Sequence, residues 1–207
     1  MLIRRFREAD AEKVSAMIAP KLKQGDEIRV IAPSRSLAAV WVEKYENALA
    51  YLESQGFKVT FLKHCREMDE WNSSSIQSRV DDIHKAFLDD KVKAILTAIG
   101  GFNVNQILEH IDYDIIRQHP KILCGYSDIT ALLHAVYAKT GLVSYHGAHF
   151  STFGFDMEVG YTQKAFFDCV MNNDNITIHP SQAAMVCFQN SRKGLLVGIW
   201  CRDLHQA

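Results

Sequence analysis

Ile122-Leu-Cys-Gly-Tyr-Ser-Asp-Ile-Thr-Ala-Leu-Leu-His-Ala-Val-Tyr-Ala-Lys139 decides the fold. Ile122-Leu-Cys124 is a short apolar run of the kind that forms a buried strand. Asp128–Lys139 carries apolar residues at helical spacing, and Gly141 is placed to end that helix. Gly125-Tyr-Ser-Asp128 must therefore turn the chain from strand into helix within four residues. A strand that passes straight into a helix is the first half of a β-α-β unit.

The same alternation extends outward. Upstream, Val92–Ala98 reads as a strand followed by Gly100-Gly101 and a short helix over Asn105–His110. Before it, Ser73–Asp89 places Ile76, Val80, Ile83 and Phe87 on one helical stripe. Phe57–Leu62 is a strand, Leu37–Gln55 a helix closed by Gly56, and Ile28–Ala32 a strand entered from the turn at Gly25-Asp26. Downstream, Leu142–Tyr145 is a fifth strand. Continuously apolar strands suit a parallel sheet covered on both faces, joined by right-handed crossovers. The expected fold is α/β: an open, mostly parallel sheet flanked by helices, of the Rossmann or flavodoxin-like kind.

The ends follow a different pattern. Ala11–Ala19 has Val14, Met17 and Ile18 at helical spacing, with Asp10 as N-cap and Pro20 as interruption. Beyond Gly154 the rhythm weakens to a helix over Tyr161–Val170 and short strands at Ile176–Ile178 and Leu195–Val197. This divides the chain into an N-terminal extension (1–20), an α/β domain (21–155) and a closing segment (156–207).

Of the 207 residues, 48% are hydrophobic and 23% charged, and the formal net charge is −1 with no basic cluster. A packed core is expected, and neither a nucleic acid nor a membrane surface as partner. No run reaches the roughly 18 apolar residues of a membrane span, and the N-terminus lacks a secretory apolar core. Five widely spaced cysteines without C-x-x-C imply free thiols, and the expected location is cytoplasmic. No zinc spacing, Walker motif or dinucleotide glycine motif is present, so neither metal nor cofactor is expected.

In a doubly wound sheet the working residues gather at the carboxyl ends of strands. Here those ends are Pro33-Ser34, Gly100-Gly101 and Gly125–Asp128. Two roles are open to Ser127. It caps the following helix, or it is a nucleophile whose oxyanion is held by the helix's first amides. Ile129 stands where the G-x-S-x-G elbow has its second glycine. Gly100-Gly101 is either a plain turn or a second source of oxyanion amides. His134 falls mid-helix, while His146 and His149 border the rim.

The strings LKQGDEIRVIAPS (22–34), NSSSIQSRVDDIHKAFLDDKVKAILTAIGGFNVNQIL (72–108), DYDIIRQHPKILCGYSDITALLHAVYAKTGLVSYHG (112–147) and HFSTFG (149–154) resemble the N-terminal domain of the LD-carboxypeptidase family of serine peptidases, nearest its microcin-C immunity branch. The resemblance implies Ser127 as nucleophile and the amides of Asp128 and Gly101 as oxyanion hole. Gly100, Ser34 and His146 then border the substrate. The implied substrates are L,D-linked peptidoglycan peptides or peptidyl and aminoacyl nucleotides.

The family takes its catalytic Glu and His from a second domain. Gly194–Gly198 resembles the linker into it, but Ile199–Ala207 departs from the pattern, so that domain is expected to be truncated and this chain inactive alone. The alternative is a non-catalytic ligand- or partner-binding domain, for which a homodimer is one open assembly. Residues 3–19 resemble the opening strand and helix of GNAT-type acetyltransferases, and no activity is carried over from so short a match.

Overall fold

The computed structural model describes residues 15–154 and 160–172. Its elements run β1 (Glu27–Ile31), α1 (Val42–Ser54), β2 (Lys58–Phe61), α2 (Ile76–Leu88), β3 (Val92–Thr97), α3 (Tyr113–Gln118), β4 (Ile122–Gly125), α4 (Ile129–Thr140), β5 (Tyr145–His146) and α5 (Gly160–Met171). The five strands are all parallel, in the order β2-β1-β3-β4-β5.

The chain moves one way across the sheet from β1 to β2 and the other way from β3 to β5. Right-handed crossovers therefore put α1 on one face and α2, α3 and α4 together on the other. The α1 face is sealed by aromatic rings: Tyr51 and Phe57 meet Phe167 of α5, and Tyr45 meets Phe61 and Phe150. Ile28, Val30, Ile95, Leu96, Leu123 and Cys124 of the central strands are fully enclosed. The sheet is thus covered on both faces, as its mostly apolar central strands require.

Several expectations shift in detail. The helix expected over Leu37–Gln55 is broken. Ser36 accepts from the Ala38 amide at 3.1 Å to cap a single 3₁₀ turn over Leu37–Ala39, and Val40 is extended before α1 begins. Asn105–His110 is a 3₁₀ turn at Val104–Ile107. A helix unread in the sequence, α3, starts where Asp112 accepts from the Asp114 amide at 2.9 Å. Residues 15–19 are not helical. Met17 instead bridges Leu142, its amide donating to Gly141 and its carbonyl accepting from Val143, both at 2.8 Å. That stretch gains sheet partners which an isolated helix turn lacks. The strands expected at 176–178 and 195–197 lie outside the described residues.

At the amino ends of β1 and β2, opposite the functional rim, Glu27 is 5% exposed and accepts from Arg29 (2.6 Å), Thr60 (2.6 Å) and Lys58 (2.8 Å). Burial alone would raise its pKa, but these donors outweigh it and bring the carboxyl from 4.5 down to about 2. A depressed carboxylate stabilises the fold above its unfolded pKa, and that contribution is lost as pH falls through the folded value. Glu27→Gln should therefore cost about 1–2 kcal/mol at pH 7, after allowance for solvent screening. Urea denaturation should show the gap to the wild type closing between pH 4.5 and pH 2.

Candidate active site

The carboxyl ends of β1, β3 and β4 converge, and the convergence is built on Asp128. Its Oδ1 accepts from the Gly101 amide at 2.7 Å, and its Oδ2 from the Ser34 hydroxyl at 2.6 Å and the Val104 amide at 3.3 Å. One carboxylate thus joins the turns after three neighbouring strands. Arg79 of α2, itself buried, ties the same turns from below by donating to the carbonyls of Pro33 (3.3 Å) and Asn103 (3.0 Å) and to Gln106 (2.8 Å). Burial lowers the Arg79 pKa, while Asp69 and Asp128 pull it back up. A guanidinium remains charged here, so it faces the Asp128 side of the site as a buried cation.

Ser127 leads from β4 into α4 with φ of 64°, the left-handed region. For a residue with a Cβ this costs on the order of 1 kcal/mol or more and persists only where the surroundings enforce it. The conformation also bears on the capping role open to Ser127. The N-cap of α4 is Asp128, and Ser127 does not cap. Its side chain is exposed at the rim. The amides of Asp128 and Ile129 beside it belong to the first turn of α4, where no intrahelical acceptor exists.

Gly100 lies directly against this turn. A methyl group placed on it would sit 2.6 Å from Ser127 Cβ, 2.9 Å from its Oγ and 3.2 Å from His149 Nε2. Only glycine allows that approach. His149 is 1% exposed, stacks on the Tyr126 ring at 4.1 Å between centroids, and holds Thr97 Oγ1 at 2.7 Å through Nδ1. Burial, opposed by Asp128 and reinforced by His146 and Arg35, drops its pKa from 6.5 to about 4. Arg35 donates from Nε to the Gly100 carbonyl at 2.8 Å and lies over the ring of Phe102, which is 81% exposed.

Four expected site residues therefore meet at one rim: Ser127, Asp128, Gly100 and Gly101. Two expected roles change. Ser34 is fully buried and spends its hydroxyl on Asp128, so it braces the site and does not face a ligand. The Gly101 amide is likewise committed to the Asp128 carboxylate. His146 stays exposed on β5, paired beside Gly125. Missed in the sequence were the Asp128 side chain, Arg79, Thr97 and Tyr126. Arg79 lies three residues after Ile76 in a helix otherwise read by its apolar stripe, and nothing local marks it as buried. Among the described residues no group of three or more His, Cys, Asp or Glu is arranged to hold a metal, and no helix is long and apolar enough to cross a membrane.

A model of the LD-carboxypeptidase N-terminal domain matches residues 28–147, more than half of the chain. The chain belongs to the LD-carboxypeptidase family. YocD of Bacillus subtilis, whose name carries a provisional carboxypeptidase assignment, is 53% identical over 165 residues, covering 80% of this chain and 51% of YocD. The microcin C7 self-immunity protein MccF of Escherichia coli is 34% identical over 131 residues, 63% of this chain and 38% of MccF. An MccF-like protein from Bacillus anthracis superposes with a TM-score of 0.76 at 54% identity, covering 77% of this chain and 48% of that one. The chain spans about half the length of YocD and other curated relatives that it matches. MccF has also been crystallised with aspartyl sulfamoyl adenosine and with glutamyl sulfamoyl guanosine.

This geometry makes two expectations. Asp128→Ala strands two amides and a buried hydroxyl, and should lower stability by about 2–3 kcal/mol in urea titration, with Asp128→Asn costing less because its amide oxygen still accepts. The depressed pKa of His149 means that the unfolded chain takes up its proton first as pH falls. Wild-type stability should therefore decline from pH 6.5 down to about 4, by at most about 3 kcal/mol. His149→Phe should remove that part of the pH dependence.

Proposed function

We propose that this chain carries the nucleophile half of a serine carboxypeptidase or amidase that cleaves an amide next to a carboxyl-bearing or nucleotide-modified end. The observation that carries the proposal is Ser127, held at φ of 64° in a strand-to-helix turn beside the open amides of α4. Ser127 Oγ attacks the amide carbonyl carbon, and the Asp128 amide receives the oxyanion. The C–N bond then breaks, the amine leaves with a proton, and water releases the acyl group from Ser127. The Gly101 amide, first expected as a second oxyanion donor, serves instead to fix Asp128.

The half-buried Arg35 cation, stacked on Phe102 at 5.8 Å, suits the carboxyl or phosphate-like end of such a substrate. Both substrate classes remain within this chemistry: L,D-linked peptidoglycan peptides, and aminoacyl or peptidyl nucleotides like the sulfamoyl compounds bound by MccF.

The general base is proposed to come from the part of the relatives that this chain does not span, in keeping with the family's Glu and His. Among the described residues, His149 is a poor proton acceptor at neutral pH because burial holds its pKa near 4. The residues 21–155 then form the nucleophile domain, with 156–207 leading toward the second.

A fluorophosphonate probe tests the proposal. With the base outside this chain, intact-mass analysis should find one slowly formed adduct, mapped to Ser127 and abolished in Ser127→Ala. The 207-residue chain alone should turn over an L,D-tetrapeptide or an aminoacyl sulfamoyl nucleotide at a negligible rate. Absence of any adduct at Ser127 would favour a ligand-binding domain without catalysis.

A further inference from the structure

Behind Ser127 lies a polar atom with no assigned partner. Among the described residues, His149 Nε2 is fully enclosed and receives no hydrogen bond. Leaving a buried acceptor unmade costs about 1–3 kcal/mol, so such an atom calls for an explanation. The imidazole is not a loosely held surface group: its ring is clamped by Tyr126 at 4.1 Å and by Thr97 at 2.7 Å.

Thr97 Oγ1 lies 3.3 Å from the Cys124 carbonyl and 2.7 Å from His149 Nδ1, an arrangement that accommodates a Thr97 hydrogen on the carbonyl and an Nδ1–H donated to the Thr97 oxygen. Nε2 then presents a lone pair. Nε2 and the Ser127 hydroxyl both lie close to Gly100, 3.2 Å and 2.9 Å from the position its Cβ would take.

We propose that His149 is a positioning residue for Ser127: anchored by Thr97 through Nδ1, it offers the unpartnered Nε2 to the Ser127 hydroxyl, which bonds to it on rotating toward the ring and is thereby held in one rotamer before attack. The proposal rests on the reading of Ser127 as nucleophile and deepens it. His149 does not take the proton away in the reaction. Its role is to set where the oxygen lone pairs of Ser127 point, with Gly100 as the gap that lets ring and hydroxyl approach. The charged and titratable groups facing the ring are Asp128 from the start of α4, His146 from β5 and Arg35 from the turn after β1. None of them is hydrogen-bonded to Nε2, and the Asp128 carboxylate is already occupied by Gly101, Ser34 and Val104.

Two measurements on the whole chain test this. In protein labelled with ¹⁵N in histidine, His149 at pH 7 should show the neutral Nδ1–H tautomer, and its bare Nε2 resonance should move in Ser127→Ala. An Nε2 signal indifferent to Ser127→Ala, or a proton on Nε2, overturns the proposal. In parallel, His149→Phe keeps a ring against Tyr126 but removes the acceptor, and should slow fluorophosphonate labelling of Ser127 about tenfold, with His149→Gln recovering part of the rate. Labelling of both variants at the wild-type rate also overturns it. If His149→Phe does not fold, the resonance shift decides. Loss of labelling in the wild type would defeat the nucleophile reading while the nitrogen spectrum still reported on the contact.

Discussion

A single carboxylate organises the functional end of this molecule. Asp128 takes hydrogen bonds from Ser34 after β1, from Gly101 and Val104 after β3, and itself follows β4. Parallel strands bring their carboxyl ends to one edge, but the sheet alone does not specify how the turns beyond that edge are arranged. Asp128 supplies that specification. Arg79 complements it from α2 by holding the carbonyls of Pro33 and Asn103, so the same turns are fixed through their donors by an anion and through their acceptors by a cation.

The constraint explains how Ser127 can occupy a backbone conformation that disfavours it. Asp128 cannot move without breaking its bonds to two other turns, and the bare Gly100 leaves the space that the serine side chain takes. The strain is held by a packed core at one end and a hydrogen-bonded rim at the other. The Glu27 cluster performs a separate task at the opposite edge, where charged groups pin β1 to β2 far from the chemistry. The two ends differ in character: Glu27 consolidates, whereas the rim keeps an exposed serine beside the first-turn amides of α4, which have no intrahelical acceptor.

Much of the fold was legible because its signals are local. β1, β3 and β4 are short, mostly apolar runs, α2 buries its stripe at Val80, Ile83 and Phe87 while Ile76 stays exposed, and Gly141 closes α4 at φ of 78°. What failed was decided by tertiary partners. Met17 has the spacing of a helix residue but pairs with Leu142, and Asp112 opens a helix too short for its period to register. At the site, the placement of Ser127 could be read from the strand-turn-helix pattern, whereas the roles of its neighbours could not. Ser34 lies 94 residues from the carboxylate it serves, and the burial of Arg79 and His149 depends on elements far away in sequence. Long-range hydrogen bonds leave no periodicity.

If the Asp128-braced turn presents Ser127 to an oxyanion site at the start of α4, a crystal structure of the phosphonylated protein shows it most directly. Phosphorus should be bonded to Ser127 Oγ, with one phosphoryl oxygen about 2.7–3.1 Å from the Asp128 amide and the Asp128 carboxylate still bound by Gly101 and Ser34. A phosphoryl group turned away from that amide, or seated on another residue, would contradict it.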